Sequence, residues 1–96
     1  MRGKEFLAAL KIDAEGPLRE LSAFRYIYVE HDQKLTNQLK LEFENDQVWL
    51  VFDPNEQLTV NQLVLFLNAH KEAFLFYGEQ QPIYGYRLAA EGLILG

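Results

Sequence analysis

Residues 39–53 leave this chain little freedom. Leu39-Lys40-Leu41-Glu42-Phe43-Glu44 alternates apolar and polar side chains without a break, the period of a strand with one face in a core and the other in water. Asn45-Asp46 follows, two residues that tolerate left-handed backbone angles and suit a two-residue hairpin turn. Val48-Trp49-Leu50-Val51-Phe52 then returns as an apolar strand over 48–53, and Asp53-Pro54-Asn55-Glu56 stops it. A turn at Asn45-Asp46 dictates the register: Glu44 opposite Gln47, Phe43 opposite Val48, Leu41 opposite Leu50, Leu39 opposite Phe52. One face then collects six apolar side chains, and the other sets Lys40, Glu42 and Glu44 beside Trp49 and Val51. A slip of one residue would mix the two faces, so the segregation itself pins the pairing.

Thr59-Val60-Asn61-Gln62 reads as a capping box, a hydroxyl at the N-cap and an amide three residues on. It starts a helix near Val60 that the periodicity carries to about Glu72. Val60, Leu63, Phe66, Leu67 and His70 share its apolar face, and Leu65 falls on the polar side. Continuing the helix would also turn Leu75 and Phe76 to the polar side, so 74–77 reads as a strand. The rival is one longer helix stopped by Gly78.

Phe24 to Glu30 is aromatic and β-branched, a strand over 24–30, and His31 to Gln38 is a polar connection into the hairpin. A further strand is expected over 83–88, weakened by Gly85. Lys4 to Lys11 forms two helical turns. Gly16-Pro17 marks a boundary after which Pro17 opens a short helix through Ala23. Gly92 to Gly96 is too apolar for a free tail and is expected to pack or pair. The fold expected is therefore α+β: a small antiparallel sheet holding the 24–30, 39–44 and 48–53 strands, packed on the Val60 helix. A length of 96 residues suits one domain.

Composition narrows the chemistry. Without cysteine there is no disulfide, thiolate metal site or cysteine nucleophile. A net charge of −5, with nine scattered basic residues, argues against nucleic acid and against an anionic membrane surface. No apolar run approaches the length of about 20 residues that spans a bilayer, and the first residues lack the long apolar stretch of a signal peptide. The expected location is the cytoplasm.

Candidate sites are few. Glu30-His31-Asp32 sets an imidazole between two carboxylates, groups suited to metal binding or general acid/base work. Neighbours on a strand alternate sides, so a solvated strand end is the simpler reading. His70, on the helix's apolar face, reads as a packed or helix-end histidine rather than a buried base. Asp53 and Glu56 flank Pro54-Asn55 in a turn sequence, without the spacing of a calcium loop. Ser22, the one serine, lacks a glycine-flanked nucleophile motif, and the singly placed glycines make no phosphate loop. Nothing asks for a cofactor or a metal.

The aromatics stand out at 14% of the chain. Trp49 and Val51 point away from the hairpin's core face; Tyr26 and Tyr28 share one side of their strand, as do Tyr84 and Tyr86 of theirs. Such side chains are buried by the chain's own segments or serve as anchors for a partner, since they combine large area with a polar tip. The function expected is non-catalytic: protein binding or self-association, as a small subunit or regulatory domain that forms a homodimer. The alternatives are a small-molecule site lined by tyrosines, an enzyme built on Glu30-His31-Asp32, and an acidic decoy for nucleic acid.

Overall fold

The computed structural model describes residues 1–15, 26–89 and 92–96. Along these the elements run α1 (Gly3–Glu15), β1 (Ile27–His31), β2 (Lys34–Thr36), β3 (Leu39–Glu44), β4 (Gln47–Phe52), α2 (Val60–Asn68), β5 (Phe74–Tyr77), β6 (Gln81–Pro82), β7 (Tyr86–Leu88) and β8 (Leu93–Leu95). The protein is an α+β domain in which helices pack against sheets. The expected helix over 17–23, Ser22 and the first two residues of the 24–30 strand lie outside the described residues.

The hairpin forms as its sequence dictates. Asn45 and Asp46 both take positive φ, 54° and 60°, the signature of the tight turn whose twist matches that of its strands. All the pairs expected from Leu39↔Phe52 to Glu44↔Gln47 are present. The capping box is present in both directions, Thr59 Oγ1 accepting from the Gln62 N–H at 3.2 Å and Gln62 Oε1 from the Thr59 N–H at 2.9 Å.

The strands do not lie in one antiparallel sheet. They divide over two mixed four-stranded sheets, ordered β3-β4-β5-β6 and β2-β1-β8-β7. In the first, β4 and β5 run parallel, joined over α2, as a strand–helix–strand crossover requires. In the second, β1 and β8 run parallel although more than sixty residues separate Ile27 from its partner Leu93. Gly92 makes that approach possible: a Cβ there would stand 2.5 Å from the Tyr26 carbonyl oxygen. The apolar C-terminal segment does therefore pair.

Other boundaries shift for local reasons. The helix expected to reach Glu72 stops at Asn68, capped by Ala69, because the carbonyls after it serve α1. The N–H groups of Gly3 and Lys4 donate to the carbonyls of Ala73 and Lys71 at 2.9 and 2.8 Å, which satisfies donors that a helix start leaves open. The 74–77 segment is the strand β5, and the longer-helix alternative falls. Of 83–88 only Tyr86–Leu88 is strand: Ile83 donates to Leu75 in the first sheet, while Gly85 accepts from Gly96 in the second, so the chain changes sheets there. The connection 31–38 hides β2, reached through Asp32 and Gln33 at φ 51° and 65°. The N-terminal helix is longer than Lys4–Lys11, running from Gly3 to Glu15.

One apolar cluster joins all layers. Phe6 and Leu10 of α1, Val60, Leu63 and Leu67 of α2, Leu39, Val48, Leu50 and Leu75 of the first sheet, and Ile27, Val29, Leu93 and Leu95 of the second are buried together. Burial of this kind is the main favourable term in folding.

Candidate functional site

The residues singled out in the sequence do not converge. Glu30 turns to Arg87 (3.4 Å), whereas His31 meets Asp32 (3.3 Å) and leans on the Phe52 ring at 4.6 Å. A strand end facing water explains all three. Asp53 is occupied with its turn, Oδ1 accepting from the Asn55 N–H at 2.9 Å and the backbone carbonyl from Glu56 at 3.2 Å. His70 lies beyond the helix rather than on its apolar face, stacked on Phe43 at 3.9 Å and tilted against Phe66 at 4.9 Å.

The six aromatic and apolar candidates fall in separate places. Trp49 and Val51 are half-buried on the outer face of the first sheet, where Trp49 stacks on Phe76 of the neighbouring strand at 4.8 Å. Part of the cover for the indole thus comes from β5. Tyr26 and Tyr28 are half-buried on the outer side of the second sheet, opposite Ile27 and Val29, which enter the core. Tyr84 and Tyr86 do not share a strand face. Tyr84 precedes β7 and is 77% exposed, while Tyr86 packs edge-on against Phe6 at 5.4 Å. Both nonetheless line one open cleft of about 510 Å³ with Tyr77, Arg87, Glu30 and Gly96.

A surface absent from those candidates has the more definite geometry. Among the described residues β3 forms the edge of the first sheet, paired only with β4. The bond from the Asp53 N–H to the Gln38 carbonyl, 2.8 Å, fixes the alternation of an antiparallel ladder: Gln38, Lys40, Glu42 and Glu44 bond to β4. Leu39, Leu41 and Phe43 therefore direct their backbone groups to the open side. The Leu39 N–H is taken by the Asn37 carbonyl at 2.8 Å; the Leu39 carbonyl and both backbone groups of Leu41 and Phe43 face outward.

Beside this edge a groove of about 550 Å³ runs between β3 and α2, lined by Leu41, Leu65, Phe66, Ala69 and Gln62 among others. Leu65 is 73% exposed and Phe43, at the end of the strand, 44%. Among the described residues the other sheet edges, β2, β6 and β7, are only two or three residues long; β3 has six. Leu65 was visible in the sequence as an apolar residue on the polar side of its helix. Its relation to an open strand edge depends on strand order, which no local pattern reveals.

Comparison with known proteins adds no identity to this geometry: no family model, curated protein or solved structure matches the chain.

Proposed function

We propose that this is a non-catalytic protein-binding domain whose contact surface is the β3 edge with the groove beside it. The observation that carries the reading is the coincidence, on one side of the molecule, of outward-facing backbone groups at Leu41 and Phe43 with the exposed Leu65. An extended chain laid along β3 would satisfy the backbone groups and place alternate side chains over Leu41 and Phe66, the mode known as strand addition. Long open edges are otherwise shortened, covered or bent away, because they template pairing with another chain. Three carboxylates that an acidic decoy would leave bare, Glu30, Asp53 and Glu72, stand beside Arg87, Lys40 and Lys4.

The second reading, a small-molecule site, is supported by the tyrosine-lined cleft between Tyr77, Tyr84 and Tyr86. One titration separates the two. A synthetic nine-residue peptide copying residues 37–45 is added to the isotopically labelled protein, and backbone amide resonances are followed. Protein binding through the edge predicts shifts at Leu41, Phe43 and Leu65. Shifts absent there, or confined to the tyrosine cleft, would overturn it.

A further inference from the structure

We infer that the occupant of the β3 edge is a second copy of this chain, paired antiparallel through a two-fold axis at Leu41. The inference rests on the protein-binding reading and names its partner. The charges along the edge select it. Lys40 and Glu42 are both exposed, on the same face of β3, one residue to either side of Leu41. Two β3 strands pairing through their open sides must match outward-facing residues with each other, so the sum of paired residue numbers is even.

A centre at Leu41 opposes Lys40 to Glu42 of the second copy, twice by symmetry, with Leu39 opposite Phe43 and Gln38 opposite Glu44. A centre at Glu42 sets that carboxylate against its own copy. A centre at Lys40 sets ammonium against ammonium, and one at Phe43 opposes Glu42 to Glu44. A shift to an odd sum would place apolar side chains opposite charged ones and break the hydrogen-bond pattern. Only the Leu41 centre opposes unlike charges without opposing like ones.

In that register Lys40 and Glu42 form non-hydrogen-bonded pairs, where facing side chains come closest. The Leu41 N–H of each copy donates to the Leu41 carbonyl of the other, and the Phe43 N–H donates to the Leu39 carbonyl. The Leu39 N–H, held by the Asn37 carbonyl, does not donate to the Phe43 carbonyl, so the ladder carries four bonds, two at Leu41 and one from each Phe43. The two sheets become one of eight strands with both α2 helices on the same face, so that the grooves beside β3 meet over the seam. Leu65, 73% exposed in the single chain, then faces its own counterpart and shields Leu41 and Phe66. A C2 contact of this kind is self-complementary and closes on itself, and among the described residues no further edge has comparable length to propagate it.

The test is a charge exchange read by sedimentation of the full chain across a concentration series, with circular dichroism to verify the fold. The native chain is expected to dimerise. Lys40→Glu alone, or Glu42→Lys alone, places like charges opposite each other at both symmetric positions and should weaken dimerisation at least about tenfold. A 1:1 mixture of the two variants should restore it, and so should the double variant K40E/E42K. Single variants that dimerise like the native chain, or a mixture that stays monomeric, would overturn the inference. Weakening by K40E with no effect of E42K would overturn the Leu41 centre in favour of Glu42. A native chain monomeric at millimolar concentration that still binds the strand peptide would overturn the second copy while sparing the protein-binding reading; failure of both would end that reading too.

Discussion

Leu50→Ala probes the packing on which every surface described above depends. Leu50 is fully buried in β4, opposite Leu41 on one side and Tyr77 on the other. Truncation removes three carbons, and at about 0.8 kcal/mol per buried carbon group the lost transfer energy is about 2.4 kcal/mol. A cavity term adds to this unless neighbours collapse into the space. Collapse is restricted here, since β4 is held by backbone hydrogen bonds to β3 and β5 and cannot sag toward the helix. A total of about 3–4 kcal/mol follows, within the range for leucine truncations in cores. A chain of 96 residues has about 5–14 kcal/mol of stability in all, so the variant should remain folded but melt at much lower urea. Leu65→Ala is the control: that side chain is 73% exposed, and in dilute protein its loss should cost under about 0.5 kcal/mol. Urea melts of both variants at low concentration give the comparison. A cost for Leu50→Ala below about 1 kcal/mol, or one equal to that of Leu65→Ala, would refute the assignment of the hairpin faces.

Three further outcomes can be checked alongside. Thr59→Ala removes the cap of α2 and should cost about 1 kcal/mol in a urea melt, with Gln62→Ala adding little once the cap is gone because the two act as a pair. Gly92→Ala forces a Cβ to within 2.5 Å of the Tyr26 carbonyl, so hydrogen exchange at Leu93 and Leu95 should accelerate well beyond that in the β3–β4 hairpin. Trp49→Ala exposes one face of Phe76 and should destabilise the fold by about 1–2 kcal/mol, leaving self-association by sedimentation within about twofold; a large loss of association instead would move the interface to the outer face of the first sheet.

The parts of the fold written in local patterns were legible. Leu39 to Phe52 carries its period, turn and register within fourteen positions of sequence, and Thr59 with Gln62 marks the start of α2 by direct side-chain chemistry. Phe74 to Tyr77 was readable as strand because Leu75 and Phe76 cannot both find cover on a helix whose apolar face lies elsewhere. What depends on distant partners was not. Nothing near Ile27 announces that it will lie beside Leu93, and nothing in β4 announces a parallel neighbour, so the division into two sheets was hidden. The turn before β2 was missed because Gln33 is an unusual residue for a left-handed angle, and the true end of α2 because it answers to α1. The candidate surface was half legible: the alternation gave Lys40 and Glu42 their common face and the helical wheel exposed Leu65, while the open edge that joins them awaited the strand order.

Amide hydrogen exchange at Leu41 tests the central claim most directly. Its N–H points away from β4 and has no bond within the hairpin, so in dilute protein it should exchange nearly as fast as an unstructured amide. The Glu42 N–H, bonded to β4, should be protected at every concentration. Raising the protein concentration through the dimerisation range should slow exchange at Leu41 and Phe43 by tenfold or more and leave Glu42 unchanged. A Leu41 amide that exchanges freely at all concentrations while the chain self-associates would contradict the account, because association would then run through some other surface.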